Sequence, residues 1–171
     1  MTLADSTLPV YDQMLGALDG WLAKAQADDR GDALLAARLA DDMHPLARQI
    51  RFVCNMPGEA MVRIAGIAFA SSDEDDATLT AARARIAASR ASIAGWTSAA
   101  FVGDTAPIAL SLPNAMTFDL TAEDYIRDWA LPQFYFHLMT AYAILRANGV
   151  PLGKIDYVPY MMRYLRPAAP A

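Results

Sequence analysis

Cysteine is almost absent from this sequence of 171 residues, which contains one, Cys54. A single cysteine cannot form an internal disulfide, and its place in the apolar run Phe52-Val53-Cys54 favours an inert buried thiol over a nucleophile. With 55% apolar residues, the chain can bury a large core without disulfide or metal crosslinks. This cysteine usage fits the reducing cytosol, and we expect a cytoplasmic protein.

Clustered positive charge and long apolar runs are also lacking. The formal net charge is −5, and no stretch gathers Lys and Arg into the basic surface that nucleic-acid phosphates require. The uncharged stretch 129–145 is shorter than the ~20 residues that cross a bilayer, and Pro132 and His137 interrupt it. We therefore expect no nucleic-acid partner and no membrane span.

The first helix is predicted from apolar residues that recur every three or four positions. These residues are Val10, Met14, Leu18, Trp21 and Ala25. Ser6 or Thr7 is the expected N-terminal cap, and Pro9 suits the opening turn. A short helix is expected to follow over residues 33–39.

A second long helix is predicted to begin after Asp41 or Asp42, with Pro45 in its first turn. Pro57 lies inside this helix and removes a backbone donor, so we expect a kink before it or two helices in line. Gly66 is the expected end.

The acidic run at residues 73–76 has two interpretations. As a metal site it would need further ligands. Without them, four neighbouring carboxylates more often form a solvated helix start, where negative charge is favoured by the helix dipole. The third helix is therefore predicted from this run to Trp96, with Arg83, Arg85 and Arg90 directed mainly outward.

The apolar period then changes from 3.6 to 2. Residues 108–112 and 116–120 alternate apolar and polar side chains on either side of a turn at 113–115. This pattern predicts a β-hairpin with one apolar face laid against the helices.

The last helix is predicted from Ala122, behind a capping motif that starts at Thr121, to about Asn148, before the stop signal at Gly149. Together these elements predict an all-α fold, an up-down four-helix bundle with a small β-hairpin before the last helix. We expect one domain over the whole chain. Its core covers about residues 6–157, and a C-terminal tail covers residues 158–171.

Three sequence blocks carry a resemblance to known proteins. They are ARLADDM followed by PLARQ within 37–49, LPQFYFH and TAYAILR within 131–146, and NGVPLGKIDY at 148–157. With the order of elements, these blocks resemble the DinB/YfiT-like superfamily of bacterial four-helix proteins, often described as metalloenzymes. Within it they resemble an uncharacterised bacterial family, a domain of unknown function.

The resemblance implies a degenerate metal site. Metal-binding DinB-like proteins usually present one histidine from the second helix and two from the last helix, four residues apart. His137 matches the first of that pair, but Ala141 stands in the second place and cannot bind a metal. His44 precedes Pro45 at the mouth of the second helix instead of lying on an inward face. We expect no cofactor; the alternative is a divalent metal such as zinc or nickel, with His137 as the one plausible ligand.

Six residues are candidates for the lining of a ligand pocket: His137, Gln49, Tyr142, Asp42, Tyr135 and His44. The resemblance implies that Gln49 points into the bundle, where it is expected to pair with His137 or Tyr142. A structural or ligand-contact role is favoured for His137 over metal ligation. Tyr135, Phe136 and Tyr142 lie at helical spacing, which favours core residues over the walls of an aromatic cavity.

Two functions follow from these features. The first is a small-molecule-binding or homodimeric interaction protein with a degenerate metal site. The alternative, implied by the resemblance, is a metal-assisted enzyme of the hydrolase or thiol-transfer type that uses His137. No serine or cysteine lies in a recognisable nucleophile motif, so the sequence assigns no catalytic residue. A homodimer would use an exposed helix face, for which the candidates are Met14, Trp21, Trp129 and Met139.

Overall fold

A computed structural model describes residues 2–166 of the chain, which are built on four long helices. They are α1 (Leu3–Gln26), α2 (Leu46–Ala65), α3 (Leu79–Gly95) and α4 (residues 122–147). α1 packs mainly against α3 and α2 mainly against α4, while α2 also contacts α3 and α1 also contacts α4. The predicted all-α four-helix fold with a β-hairpin is confirmed.

Short elements connect and extend the long helices. They are 3-10 helices at Gly31–Ala36, Ser98–Ala100 and Pro159–Tyr164, and a four-residue helix, α5, at Lys154–Tyr157. The end of the predicted tail, from residue 167, lies outside the described residues. No helix within residues 2–166 combines the length and apolar character that crossing a bilayer requires.

Large apolar side chains fill the space between the four helices. The largest fully buried ones include Tyr11, Leu15, Leu18, Leu22, Leu46, Ile50, Met61, Ile64 and Phe134. Met14 and Trp21, which the sequence made candidates for a dimer interface, are also buried within the monomer, so that prediction is wrong for them. Trp129 is half-buried, and Met139 remains exposed.

The start of α1 differs from the prediction. Thr2, not Ser6 or Thr7, is the N-cap: its Oγ1 accepts from the Asp5 backbone N–H at 3.2 Å, and Asp5 Oδ2 accepts from the Thr2 N–H at 2.9 Å. This reciprocal pair is a capping box, which satisfies two backbone donors where one side-chain cap would satisfy one. The helix therefore begins earlier, and Pro9 lies inside it.

The start of α2 also differs. Pro45 occupies the N-cap position, and Asp41 and Asp42 are exposed in the preceding turn, so neither aspartate caps the helix. The Leu46 N–H instead donates to the Ala37 carbonyl at 2.8 Å. The carbonyl of Ala37 thus has the role that the sequence assigned to the carboxylate of Asp41 or Asp42.

The interior of α2 is continuous. The helix runs through the buried Pro57, so it is not divided into two helices in line. It ends, as predicted, at Gly66, whose φ of 62° is left-handed. Cys54 is buried in this helix, and burial raises the pKa of its thiol to about 12, consistent with an inert cysteine.

The acidic run 73–76 lies ahead of α3 and is not a solvated helix start. The two carboxylate oxygens of Asp75 each lie 3.2 Å from a guanidinium Nε on α2, that of Arg48 and that of Arg51. Asp76 Oδ2 lies 2.7 Å from Arg85 Nε on α3. The run therefore ties the α2–α3 connection to both helices.

Thr78 caps α3 in place of the acidic run, accepting from a backbone N–H with its hydroxyl. Two arginines of α3 then reach across to α1. Arg83 pairs with Asp19 at 2.7 Å and Arg90 with Asp12 at 2.8 Å. The arginines that were predicted to point outward thus bridge neighbouring helices, in partly exposed pairs.

The hairpin joins β1 (Pro107–Ser111) and β2 (Thr117–Thr121) in antiparallel register. Ile108 and Leu110 are buried against the helices, as predicted. Phe118, which pairs with Leu110, is 42% exposed, whereas Leu120, which pairs with Ile108, packs half-buried against the core. The tip of the hairpin extends beyond the surface that the helices provide.

α4 starts at the predicted cap, where Thr121 Oγ1 accepts from a backbone N–H of the first turn. It is composed of a helical turn at Ala122–Asp124, a π-helical segment at Tyr125–Ala130 and an α-helix at Leu131–Ala147. Gly149, with φ of 80°, follows its end as predicted. π-Helical segments widen a helix locally and often lie near functional sites.

The segment after α4 closes onto α1. Trp21 Nε1 donates to the Asp156 carbonyl at 2.7 Å, and the Asp156 carboxylate lies 2.7 Å from Lys24 Nζ. The indole also contacts Tyr142 edge-on at 5.1 Å and stacks on Tyr157 at 6.1 Å between ring centroids. This aromatic cluster fixes the C-terminal segment to the bundle.

Candidate functional site

His137 and Gln49 form the central polar contact between α2 and α4. His137 Nδ1 lies 2.7 Å from Gln49 Oε1. Gln49 is buried, and His137 is half-buried. The two helices pack along their length, which brings together residues 88 positions apart in sequence. The predicted pairing of Gln49 with His137 is thus present in the structure.

The hydrogen-bond network fixes the tautomer of His137. Gln49 Nε2 donates to the His44 carbonyl at 3.2 Å, and a carbonyl only accepts. The amide oxygen of Gln49 therefore faces the imidazole, and Nδ1 must carry the proton. In the neutral ring, Nε2 then holds the lone pair.

The second ring nitrogen of His137 is open. No hydrogen bond within residues 2–166 involves its Nε2, and this nitrogen is not among the enclosed polar atoms that lack a partner. It therefore reaches solvent as an unused acceptor.

Aromatic rings surround this imidazole. The centroid of the Phe52 ring lies 4.7 Å from that of His137 and 5.5 Å from that of His44, so Phe52 contacts both histidines. The Phe136 ring lies 5.1 Å from His137 and is 57% exposed. The result is an apolar surface with one basic nitrogen in it.

The surroundings hold the imidazole neutral. Burial, and to a lesser degree the nearby His44, lower the pKa of His137 from 6.5 to about 4. A hydrogen bond to a neutral amide adds no charge that would favour the imidazolium. At neutral pH the ring is therefore a neutral acceptor at Nε2.

The other predicted pocket residues do not gather around His137. Tyr142 packs on Trp21, and Tyr135 contacts Phe134 at 5.9 Å, while Asp42 is exposed in the turn before α2. His44 lies close to this pair: its backbone carbonyl accepts from Gln49, and its ring contacts Phe52. Its side chain does not hydrogen-bond to the imidazole of His137. Of the six predicted residues, the structure brings together His137, Gln49 and His44.

The donor set does not fit a three-histidine metal centre. Among residues 2–166, no three His, Cys, Asp or Glu side chains converge as metal ligands require. On the α2 side, Gln49 faces His137 with a neutral amide oxygen, which is a weak ligand for zinc or nickel. One turn along α4, Ala141 is fully buried and offers no donor atom.

Sequence reasoning missed Phe52 as a site residue and interpreted it only as part of an apolar run. It follows Gln49 by three positions, which places both on one face of α2. This spacing could have indicated that Phe52 lies beside Gln49. It does not distinguish a site residue from a core residue, because an aromatic residue on the inward face of a helix most often belongs to the core.

The fold and site define a class of protein: a four-helix DinB-like bundle with a glutamine–histidine pair between its second and last helices. The crystal structure of a DinB family member from Shewanella denitrificans matches with a TM-score of 0.78 and 34% sequence identity, covering 91% of each chain. The family model of a domain of unknown function, DUF1993, matches residues 3–158, and the chain belongs to this family. The predicted family is confirmed. A comparison with curated proteins gives no match.

Proposed function

We propose that this protein binds a small organic molecule at His137, with a degenerate metal site and no resident metal. The observation that carries the proposal is the open Nε2 acceptor of His137 beside exposed aromatic surface. A ligand with one hydrogen-bond donor and an apolar body matches this surface, because the donor meets Nε2 and the body packs on Phe52 and Phe136.

The exposed ring of Phe136 indicates the kind of ligand that this surface suits. Four cavities of about 150–300 Å³ lie among the described residues, and His137 lines none of them. A flat ring can pack on the exposed Phe136 ring while its donor meets Nε2 of His137.

Phenol is the probe for this proposal. In ¹H–¹⁵N spectra, phenol should shift the Nε2 resonance of His137 saturably, because its hydroxyl donates to that nitrogen. Anisole has a similar ring without the donor and should shift it much less. The substitution His137→Phe keeps an aromatic ring but lacks this nitrogen, so in this variant phenol and anisole should cause equal shifts of the backbone N–H signals of residues 136–138.

Metal analysis separates the proposal from the metal-assisted enzyme. Protein purified without an affinity tag should contain no stoichiometric divalent metal. Stoichiometric zinc or nickel that disappears in His137→Ala would overturn the degenerate site and favour the hydrolase or thiol-transfer alternative. Equal responses to phenol and anisole would contradict the binding proposal itself.

A homodimer is the second candidate, favoured by a separate observation. Phe136 and Met139, three positions apart on α4, are 57% and 39% exposed. Two copies could bury these side chains against each other. We expect light scattering to show a dimer at micromolar concentration, and Phe136→Glu to convert it to a monomer. Ile155→Glu is the matched control, since Ile155 is also 57% exposed. A monomeric parent protein would exclude this candidate.

A further inference from the structure

A cavity of about 150 Å³ lies between α2 and the start of α4. It is lined by Met56, Glu59, Tyr125, Trp129, Ala130 and Gln133. Gln133 precedes His137 by one helical turn, and His137 is not part of the lining. The π-helical segment supplies three of the six lining residues, so the widened turn of α4 shapes this cavity.

Glu59 is the charged group of the cavity, and it has no cationic partner. Its carboxylate accepts a hydrogen bond from the Ser71 hydroxyl at 2.6 Å. Within the described range 2–166, no Lys, Arg or His nitrogen lies within 4.0 Å of it, whereas Asp76 and Asp19 each pair with an arginine. A half-buried carboxylate beside an open cavity favours a cation as its occupant.

Two aromatic side chains line the same cavity, Tyr125 and Trp129. A cation is attracted to the negative face of an aromatic ring, most strongly for tryptophan. The chain itself illustrates this for Tyr125, because Arg63 Cζ lies 5.7 Å from its ring centroid. Arg63 donates to the backbone carbonyl of Glu59 and leaves the carboxylate without a charged partner.

Tyr11 adds an unsatisfied polar atom to this part of the bundle. Its side chain is fully buried, and its hydroxyl has no hydrogen-bond partner among residues 2–166. Burial, with Tyr125 and Glu59 nearby, raises the pKa of this hydroxyl, so it stays protonated. Tyr11 does not line the cavity, so its hydroxyl is not among the contacts of an occupant.

We propose that this cavity binds a small organic cation of the methylated-ammonium class. Glu59 supplies the countercharge, and Trp129 and Tyr125 supply the aromatic walls. The volume admits a trimethylammonium group and excludes a nucleotide. This site is separate from the one at His137, and neither proposal depends on the other.

The first test compares choline with its uncharged isostere, 3,3-dimethylbutan-1-ol, on the unmodified full-length protein. The readout is the indole N–H signal of Trp129 in ¹H–¹⁵N spectra, assigned with Trp129→Phe. Choline should shift this signal saturably, with an apparent affinity at least about tenfold above that of the isostere, which corresponds to ~1.4 kcal/mol. Equal binding of the two would mean an apolar cavity only. No shift by choline would also overturn the proposal.

Charge variants give the second test. Glu59→Gln keeps the size of the side chain and should weaken choline binding about tenfold or more. Glu74→Gln is the matched control, because Glu74 is exposed and lines none of the four cavities. Arg63→Gln removes a competing positive charge and should strengthen binding. Weakening in Arg63→Gln, or unchanged binding in a folded Glu59→Gln variant, would contradict the assigned roles. Choline binding is tested independently of the phenol titration at His137.

Discussion

The substitution Trp21→Ala is expected to destabilise the protein by about 3–5 kcal/mol, the usual cost of truncating a buried tryptophan. Trp21 is fully buried, and its indole contacts Tyr142 and Tyr157. Its N–H also donates to the Asp156 carbonyl at 2.7 Å, so truncation leaves a cavity and removes the donor that holds the C-terminal segment. Urea unfolding followed by circular dichroism measures the change in the free energy of unfolding.

Trp21→Phe separates packing from the hydrogen bond. Phenylalanine keeps an aromatic ring against Tyr142 but cannot donate to Asp156. The free energy of unfolding should therefore fall less than in the alanine variant, and the difference measures the retained packing. In both variants, hydrogen exchange should accelerate first at residues 149–157, which the indole fixes to α1. A loss below ~1 kcal/mol in Trp21→Ala would contradict the view of this cluster as a structural anchor.

The fold was predictable because its strongest signals are periodic and local. The spacing of Leu18 and Trp21, the hairpin alternation around residue 110 and the stop at Gly149 each correspond to an element in the structure. The resemblance blocks in the sequence also lie in the family match over residues 3–158. Periodicity survives tertiary packing because the same apolar face that creates it is the face that becomes buried.

Helix starts were predicted less well, because several groups compete for the same backbone donors. Thr2 caps α1 through a reciprocal bond with Asp5, where the sequence offered Ser6 and Thr7 as simpler caps. Asp75 and Asp76, expected at the start of α3, are instead paired with arginines on α2 and α3. Which acceptor takes a donor depends on neighbours that only the folded chain supplies.

The site was predictable in part. The family resemblance placed Gln49 inside the bundle as a partner of His137 or Tyr142, and the hydrogen bond to His137 is present. The role of Phe52 and the cavity at Glu59 could not be predicted, since the register between α2 and α4 decides which side chains meet. Periodicity gives the inward face of a helix, but it does not fix the sliding of one helix against another.

The substitution Gln49→Glu is expected to raise the pKa of His137 from about 4 by about 1–3 units. It places a carboxylate where an amide oxygen now lies 2.7 Å from Nδ1, and that negative charge favours the imidazolium. ¹H–¹⁵N spectra of the two histidines, recorded as a function of pH, measure the shift. The exposed His44 serves as a reference in the same spectra.

The same change should weaken the dependence of stability on pH that His137 causes. In the parent protein the pKa of His137, about 4, lies below the unfolded value near 6.5, so the unfolded state binds the proton more tightly. Stability from this residue is then complete above about pH 6.5 and is lost as the pH falls towards 4. In Gln49→Glu the folded pKa moves to about 5–7, close to the unfolded value, so the loss of stability from this residue on acidification should become smaller. Gln49→Met is the control: it removes the acceptor without adding charge, so the pKa of His137 should stay low. A pKa near 4 in Gln49→Glu would show that residue 49 does not face the imidazole.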